Sequence, residues 1–374
     1  MAETIPEKIK RIEDEIRNTQ FNKATEHHIS LLKAKIARFK RLAIANAAKK
    51  AGSKKGFNVK KEGDGTVVMV GFPSVGKSTI LNSITSAKSE VAAYEFTTLE
   101  TIPGMLHHKS AAIQVLDIPG LISGAAEGKG RGKEVIAVVR ASDLILIICD
   151  AQHLEKIQTI LDELEKADIR IDKRPPQISI EKKAYGGVTI LAKKGTKPDV
   201  IKEFEDICKS FGVLSADIIV RENTTPDQLI DFLSNSCRYI PSVIVVNKID
   251  KLTKKELDDV EKKLKTFGKD FLFISAENGT NIDKLKDLIF KKLNLIRVYT
   301  KRKEGKEFGE PMILKNGSTI ENVCIKIHKD LKKNFKFALV TGSSVKFQNQ
   351  RVGLDHKIVE GDKIVIISEH YDAL

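Results

Sequence analysis

Paired cysteines are absent. Cys149, Cys208, Cys237 and Cys324 stand 59, 29 and 87 positions apart, with no CxxC pair and no short Cys/His cluster, which excludes a disulfide scaffold and a zinc finger. Long apolar runs are absent too. The longest, around Leu144–Cys149 and Val243–Val246, fall far short of the roughly 20 residues needed to cross a bilayer. The opening MAETIPEKIK has no apolar signal region, so the expectation is a cytoplasmic protein without a membrane partner. Acidic residues are missing from one stretch, Ser30 to Lys61, which holds eleven Lys or Arg. Over the whole chain 64 Lys and Arg against 50 Asp and Glu leave a formal charge of +14, which favours polyanions such as RNA, DNA or an acidic membrane surface. A hydrophobic fraction of 41% argues against wholesale disorder, and 374 residues suit two to three domains.

What is present divides the chain. Ile5, Ile9, Ile12 and Ile16 recur on one helical face with Pro6 at the start, and Leu32, Ile36 and Phe39 continue an apolar stripe within the basic stretch. The pattern predicts a helical hairpin over 1–60 whose second arm is basic and suited to nucleic acid, ending in a basic linker at Gly52–Gly56. From Gly65 onward, β-rich runs alternate with helical ones, with strands expected at 66–71, 103–107, 111–117, 143–149, 242–247 and 271–275, a parallel sheet with crossover helices. The 130 positions between Asp117 and Asn247 are too many for two helix-plus-strand steps. The surplus, 168–223, reads as an inserted α+β domain: a strand in QISIEKK, a turn at Gly186–Gly187, a strand in VTILAKK, a helix over 198–211 and a strand in ADIIV. Its hairpin carries Lys182, Lys183, Lys193 and Lys194. The sheet domain thus occupies 61–167 and 224–295, and a small β-rich domain with a basic amphipathic helix, KIHKDLKKNF, follows over 296–374.

GFPSVGKST at 71–79 lies between the strand TVVMV and a helical segment, the context a phosphate-binding loop demands. Gly71 and Gly76 let backbone amides wrap a phosphate chain, Pro73, Ser74, Val75 and Thr79 complete the cradle, Lys77 reaches the β- and γ-phosphates, and Ser78 offers a hydroxyl to Mg²⁺. DIPG at 117–120 supplies Asp117 for the magnesium shell and Gly120 as a γ-phosphate sensor. NKID at 247–250 ends another strand. Asn247 and Lys248 belong to this base-reading motif, and Asp250 can accept both donors of guanine, which adenine lacks. Ser275 and Ala276 follow the next strand, where a backbone amide can meet the guanine carbonyl. The ordered set predicts GTP binding. The adjacent pairs His27–His28 and His107–His108 lack partners at metal-ligand spacing and read as surface residues.

With AAYEFTTLE and DIPGLISGAAEGKGRGKEVIAVVR, these motifs resemble the developmentally regulated GTP-binding proteins, a branch of the Obg family of GTPases, over almost the whole chain. The resemblance implies an α/β P-loop GTPase domain with an N-terminal helical element, an inserted domain of the ribosomal protein S5 domain-2 type and a C-terminal β-grasp TGS domain. It carries over Thr98 as the switch I ligand of Mg²⁺, with Phe96 and Thr97 beside the nucleotide. Lys77, Thr98 and Gly120 are the expected catalytic groups; Ser78, Thr98 and Asp117 are the expected metal ligands. Switch II is glycine-rich and suited to ordering and disordering.

The expected function is slow hydrolysis of GTP to GDP and phosphate, coupled to a switch acting on ribosomes or another RNA assembly, with the chain a monomer and a regulatory protein as a further partner. The competing class is a nucleotide-gated RNA-binding module in which hydrolysis is incidental. Leu121 follows DIPG where Ras-like enzymes carry a water-orienting glutamine. Relatives with that replacement can use K⁺ as well as Mg²⁺, but here the P-loop offers Ser74 where several hold the ion with Asn or Asp, and Arg131 is the competing positive charge.

Overall fold

The computed structural model describes residues 3–50, 62–85, 102–118, 132–193, 195–301 and 308–368. They form two compact units, Met1–Gly56 with Asp168–Tyr239, and Phe57–Ala167 with Ile240–Leu374.

The second unit is built on a six-stranded sheet in the order Phe271–Phe273, Ser242–Asn247, Leu144–Asp150, Gly65–Val70, Ala111–Asp117, Ile102–His108. All neighbours are parallel except the last pair, which is an antiparallel hairpin at the edge. The second, third and fourth strands of this order, Ser242–Asn247, Leu144–Asp150 and Gly65–Val70, are apolar runs rich in Val, Ile and Leu and are buried at every position. That is the pattern of strands covered on both faces by crossover helices, so alternation is lost. Val67 and Met69 meet Ile80 and Leu81 of helix Lys77–Ile84 and Leu285 and Ile289 of helix Ile282–Lys292 in one core. Val68 and Val70, pointing the other way, are equally buried. Full burial of each such side chain stabilises by about 1.5–3 kcal/mol. Chain order reverses around Gly65–Val70, and in open α/β sheets the crevice at that reversal, outside the carboxyl ends of the strands, is where ligands bind.

The C-terminal part of this unit is a five-stranded sheet ordered Met312–Lys315, Leu295–Thr300, Lys363–Ser368, Phe335–Thr341, Gln350–Val352. Its first and last strands in sequence are parallel neighbours, as a β-grasp requires. The basic helix expected over KIHKDLKKNF is not continuous. His328 takes an extended conformation (φ −161°, ψ 138°) between helices Ile320–Ile327 and Lys329–Lys333, and its ring caps the second one. Two lysines tie this domain to the large sheet: Lys326 Nζ lies 2.9 Å from Asp64 and Lys315 Nζ 3.1 Å from Asp143. Those carboxylates also accept the Ala112 and Thr66 amides at the amino-terminal ends of two strands.

The first unit begins with the expected hairpin, helices Ile5–Asn18 and Glu26–Lys50. The first helix opens with Thr4 and Glu7 in a reciprocal cap and Pro at its start. The second buries a further face: Ala34, with Leu31 and Ala37 beside it, packs against Phe204, Ile207 and Leu229. The boundary of the insertion therefore differs from the expected 168–223. Helix Pro226–Ser234 contributes Leu229, Ile230 and Leu233 to the same core as helix Pro198–Ser210, so the segment closes at Tyr239. Its strands also pair differently from a hairpin. Ala216–Val220 lies between Ile178–Lys182 and Val188–Leu191, antiparallel to the first and parallel to the second. The Gly186–Gly187 turn, both residues at positive φ, thus joins two strands that are not neighbours. The pattern of turn and flanking strands is the same in both cases; the pairing is set by the helix crossover that makes the later strands parallel.

Candidate active site

The loop Gly71–Gly76 leaves strand Gly65–Val70 at its carboxyl end and enters helix Lys77–Ile84. Its glycines are demanded by close approach. A Cβ on Gly71 would lie 2.4 Å from the Ile148 carbonyl oxygen, and one on Gly76, which sits at φ +90°, would lie 2.4 Å from the Asn247 amide nitrogen. Lys77 Nζ donates to the carbonyls of Gly71 (3.0 Å) and Phe72 (3.1 Å), so the ammonium lies across its own loop. Burial lowers its pKa, with Asp117 acting in the opposite sense; a phosphate beside it would favour the charged form further.

The Ser78 hydroxyl donates to Asp117 Oδ2 at 2.8 Å. Asp117 ends its strand and is 7% exposed, and its other oxygen, Oδ1, is buried with no hydrogen-bond partner among the described residues. A buried carboxylate oxygen without a donor is costly, and together with an adjacent hydroxyl it forms the hard-oxygen pair that suits Mg²⁺. The residues therefore fit that ion. Among the described residues, no group of three or more His, Cys, Asp or Glu forms another metal cluster. His27, His28 and His108 instead face single carboxylates, Asp206, Glu15 and Asp287.

Asn247, 3% exposed at the end of its strand, joins two loops. Its amide nitrogen donates to the Val75 carbonyl at 3.0 Å, and its amide oxygen accepts from the Ala276 backbone N–H at 3.0 Å. Lys248, at φ +65°, donates to the Ser74 carbonyl at 2.6 Å. Asp250 is exposed, and its carboxyl is held below the usual range first by a hydrogen bond from the Ser275 hydroxyl, then by its own backbone amide and the neighbouring charges of Lys251 and Lys248. Pro73, Ser74, Val75, Gly76, Lys77, Ser78, Thr79, Asp117, Asn247, Lys248, Asp250, Ser275 and Ala276 thus gather at the carboxyl end of one sheet. Val75 does so through its backbone, its side chain being in the core. Phe96, Thr97, Thr98, Gly120, Leu121 and Arg131 lie outside the described residues.

Asp150 was not singled out by the motifs. It ends strand Leu144–Asp150 directly opposite Asn247 and is 8% exposed. One oxygen is 2.6 Å from His153 Nδ1 and the other 3.6 Å from Lys248 Nζ. The available signal was an acid closing an otherwise apolar strand, LILIICD. Lys156 also lies over the ring of Phe72 in the phosphate loop, 4.9 Å from its centre.

Three family models match consecutive parts of the chain: a 50S ribosome-binding GTPase domain over residues 66–183, the C-terminal region of that domain over 185–295, and a TGS domain over 296–368. A GTP-binding protein of Methanocaldococcus jannaschii is 45% identical over 97% of this chain and 93% of its own length. Developmentally-regulated G-protein 3 of Arabidopsis thaliana is 43% identical over 98% of this chain and 99% of its own. For developmentally-regulated GTP-binding protein 2 of Homo sapiens the identity is 42%, over 98% and 100%.

Proposed function

The chain belongs to the developmentally regulated GTP-binding proteins, P-loop GTPases with a TGS domain, and from that premise we propose that its GTP cycle controls engagement with a ribosome or another RNA assembly through the residues gathered at the sheet's carboxyl end. One observation carries the site assignment. The Ser78–Asp117 pair, with a carboxylate oxygen left unpartnered, and the Asn247 link to the base-reading loop lie at the end of the same sheet.

In this reading the amides of Ser74–Lys77 surround the phosphates, and Lys77 exchanges its two loop carbonyls for phosphate oxygens. Ser78 and Asp117, with Thr98 on switch I, would hold the Mg²⁺ that members of this class use with GTP, and the ion would neutralise phosphate charge. Asp250 accepts from guanine, and the Ala276 region meets the guanine carbonyl. Lys248, held by the Ser74 carbonyl, positions the base loop over the phosphate loop. Gly120 and Thr98 report the γ-phosphate. Leu121 cannot orient water; K⁺ held near Ser74 would supply the positive charge that an arginine finger otherwise brings, and Arg131 is the competing source.

The family model's description as ribosome-binding and the charge of +14 support a ribosomal or RNA partner. Single-turnover hydrolysis with and without ribosomes tests the reading. A rate or bound lifetime that changes with ribosomes supports it; equal values, with no difference in ribosome affinity between GTP and GDP states, overturn it.

A further inference from the structure

The unit made by the helical hairpin and Asp168–Tyr239 contains a cavity of about 670 Å³, within the roughly 300–1,000 Å³ usual for sites that take a small ligand. No residue of the phosphate or base loops lines it. Its wall carries three kinds of group. Phe211, Phe232 and Tyr239 supply aromatic rings. Arg41, from helix Glu26–Lys50, and Lys182, from the edge strand Ile178–Lys182, supply positive charge. Ser215 and the Tyr239 phenol supply neutral hydrogen-bonding groups.

The polar chemistry of this wall is specific. The Ser215 hydroxyl oxygen is buried and has no hydrogen-bond partner among the described residues, an arrangement that costs stability unless a ligand meets it. Burial, and then the charge of Asp231, push the Tyr239 phenol up to about 12, so it stays a neutral donor at physiological pH. Among the described residues, Asp231 is the only acid on the wall, and it is already engaged. Arg170 Nε and Nη2 donate to its two oxygens at 2.7 Å each, and the Cys237 thiol lies 3.0 Å from Oδ1. With that acid neutralised, the remaining charge is positive. Arg41 donates to the Leu233 carbonyl at 3.1 Å, a bond that uses one of five guanidinium donors and fixes the group at the wall.

Flat apolar surfaces, a cationic rim and neutral polar groups inside a cavity of this size together suit an aromatic base joined to a phosphate. We propose that this cavity is a second nucleotide-class site, which takes one nucleotide of single-stranded RNA, its base against Phe211, Phe232 or Tyr239 and its phosphate against Arg41 and Lys182. The assignment rests on the RNA reading above and gives it a location on the molecule. Stacking uses the face that every base has, so binding tolerates sequence, and the base edge turned towards the Ser215 hydroxyl must be free, so the site prefers unpaired RNA to duplex.

The test uses the full chain and a 12-nucleotide single-stranded RNA containing 5-iodouridine. Irradiation is expected to join the RNA to peptides containing Phe211 or Tyr239. Lys182→Glu, a change at an exposed position, is expected to weaken binding at least fivefold and to lower the slope of log affinity against log salt by about one unit. Tyr239→Phe, which removes only the hydroxyl, is expected to weaken it about threefold. All variants are expected to keep the parental thermal unfolding profile as well as the parental GTP hydrolysis rate, which shows that both units fold. RNA binding that survives both substitutions, with cross-links elsewhere, overturns this site and leaves the RNA reading standing. No binding of RNA or ribosomes by the parent overturns that reading as well. Binding of uridine monophosphate without binding of the oligonucleotide, or RNA competing no better than duplex, overturns the single-stranded RNA assignment.

Discussion

The two units solve the problem of assembling distant segments in opposite ways. In the sheet unit, the functional groups lie at or just beyond the carboxyl ends of separate strands, and short polar bridges such as Asn247 join them. In the unit of hairpin and insertion, residues about 170 positions apart meet through side-chain packing, with Ala34 against Phe204. Ion pairs and carbonyl contacts hold the edges: Lys33 to Asp227 at 2.9 Å, Arg38 to the Ser210 carbonyl at 2.9 Å and Arg41 to the Leu233 carbonyl at 3.1 Å. The difference teaches what each sequence signal measures. A motif at a strand end reports chemistry because the parallel sheet already aligns its ends. A run of like charge reports only a surface, and part of that surface here is a seam within the protein.

The largest effect that would sharpen this contrast concerns base selection. Asp250→Asn is expected to shift preference from GTP towards xanthosine triphosphate by on the order of 10⁴ in relative affinity, because an amide offers a donor where guanine carries an amine. Competition binding of the two nucleotides reads it directly. An unchanged preference would remove Asp250 from the base site.

Next in size is a change confined to the other unit. Asp231→Ala leaves the Arg170 guanidinium, 16% exposed at its side chain, without its bidentate partner, and is expected to cost about 3–5 kcal/mol of stability. Denaturation monitored with GTP binding in parallel should show the loss of stability with the nucleotide affinity of the folded protein unchanged. A fall in that affinity would break the separation between the units.

A smaller effect tests the residue that the motifs did not reveal. Asp150→Asn removes the charge 3.6 Å from Lys248 Nζ and is expected to raise KM for GTP about fivefold, roughly 1 kcal/mol, with kcat nearly unchanged. Asp150→Glu should recover part of the loss. Equal falls in kcat and kcat/KM would instead place Asp150 in transition-state stabilisation. Of similar size is the monovalent-ion effect. GTP hydrolysis at fixed ionic strength is expected to run several-fold faster in KCl than in NaCl, about 1 kcal/mol at the transition state. Equal rates together with loss of activity in Arg131→Ala would assign that role to arginine.

The smallest effect lies in the basic arm. Five phosphate contacts by its cations would give log affinity for RNA a salt slope near −4, yet Lys33 and Arg38 already have partners in the protein. Lys33→Gln is therefore expected to alter stability by less than about 1 kcal/mol and to leave the slope of RNA binding unchanged. Neutralising Lys49, Lys50, Lys54 and Lys55 is expected to flatten it. The opposite result would make the arm's first half the RNA surface.

Much of the sheet unit was legible because buried parallel strands are continuous apolar runs and their ends carry punctuating motifs. The expected strand at 143–149 is found at Leu144–Asp150, and that at 242–247 is Ser242–Asn247. The closure of the insertion at Tyr239 was not legible, since Leu229, Ile230 and Leu233 would serve equally on a helix of the large sheet. Nor was the role of Ala34 and Ala37, because alanines on a lysine-rich helix give a weak apolar signal. Asp150 was hidden for another reason: only strand register sets it opposite Asn247.

The Ala34–Phe204 contact also has a consequence for timing. At the roughly 5–20 residues per second of protein synthesis, about 10–30 s separate the emergence of helix Glu26–Lys50 from that of the helix that covers it. Through that interval the nascent arm must wait without its cover. The face that waits is small in apolar area, alanine at its centre, and flanked by Lys33, Lys35 and Arg38. Like charges on neighbouring nascent chains repel, so the composition that gives the folded protein its basic arm also keeps that arm from premature association.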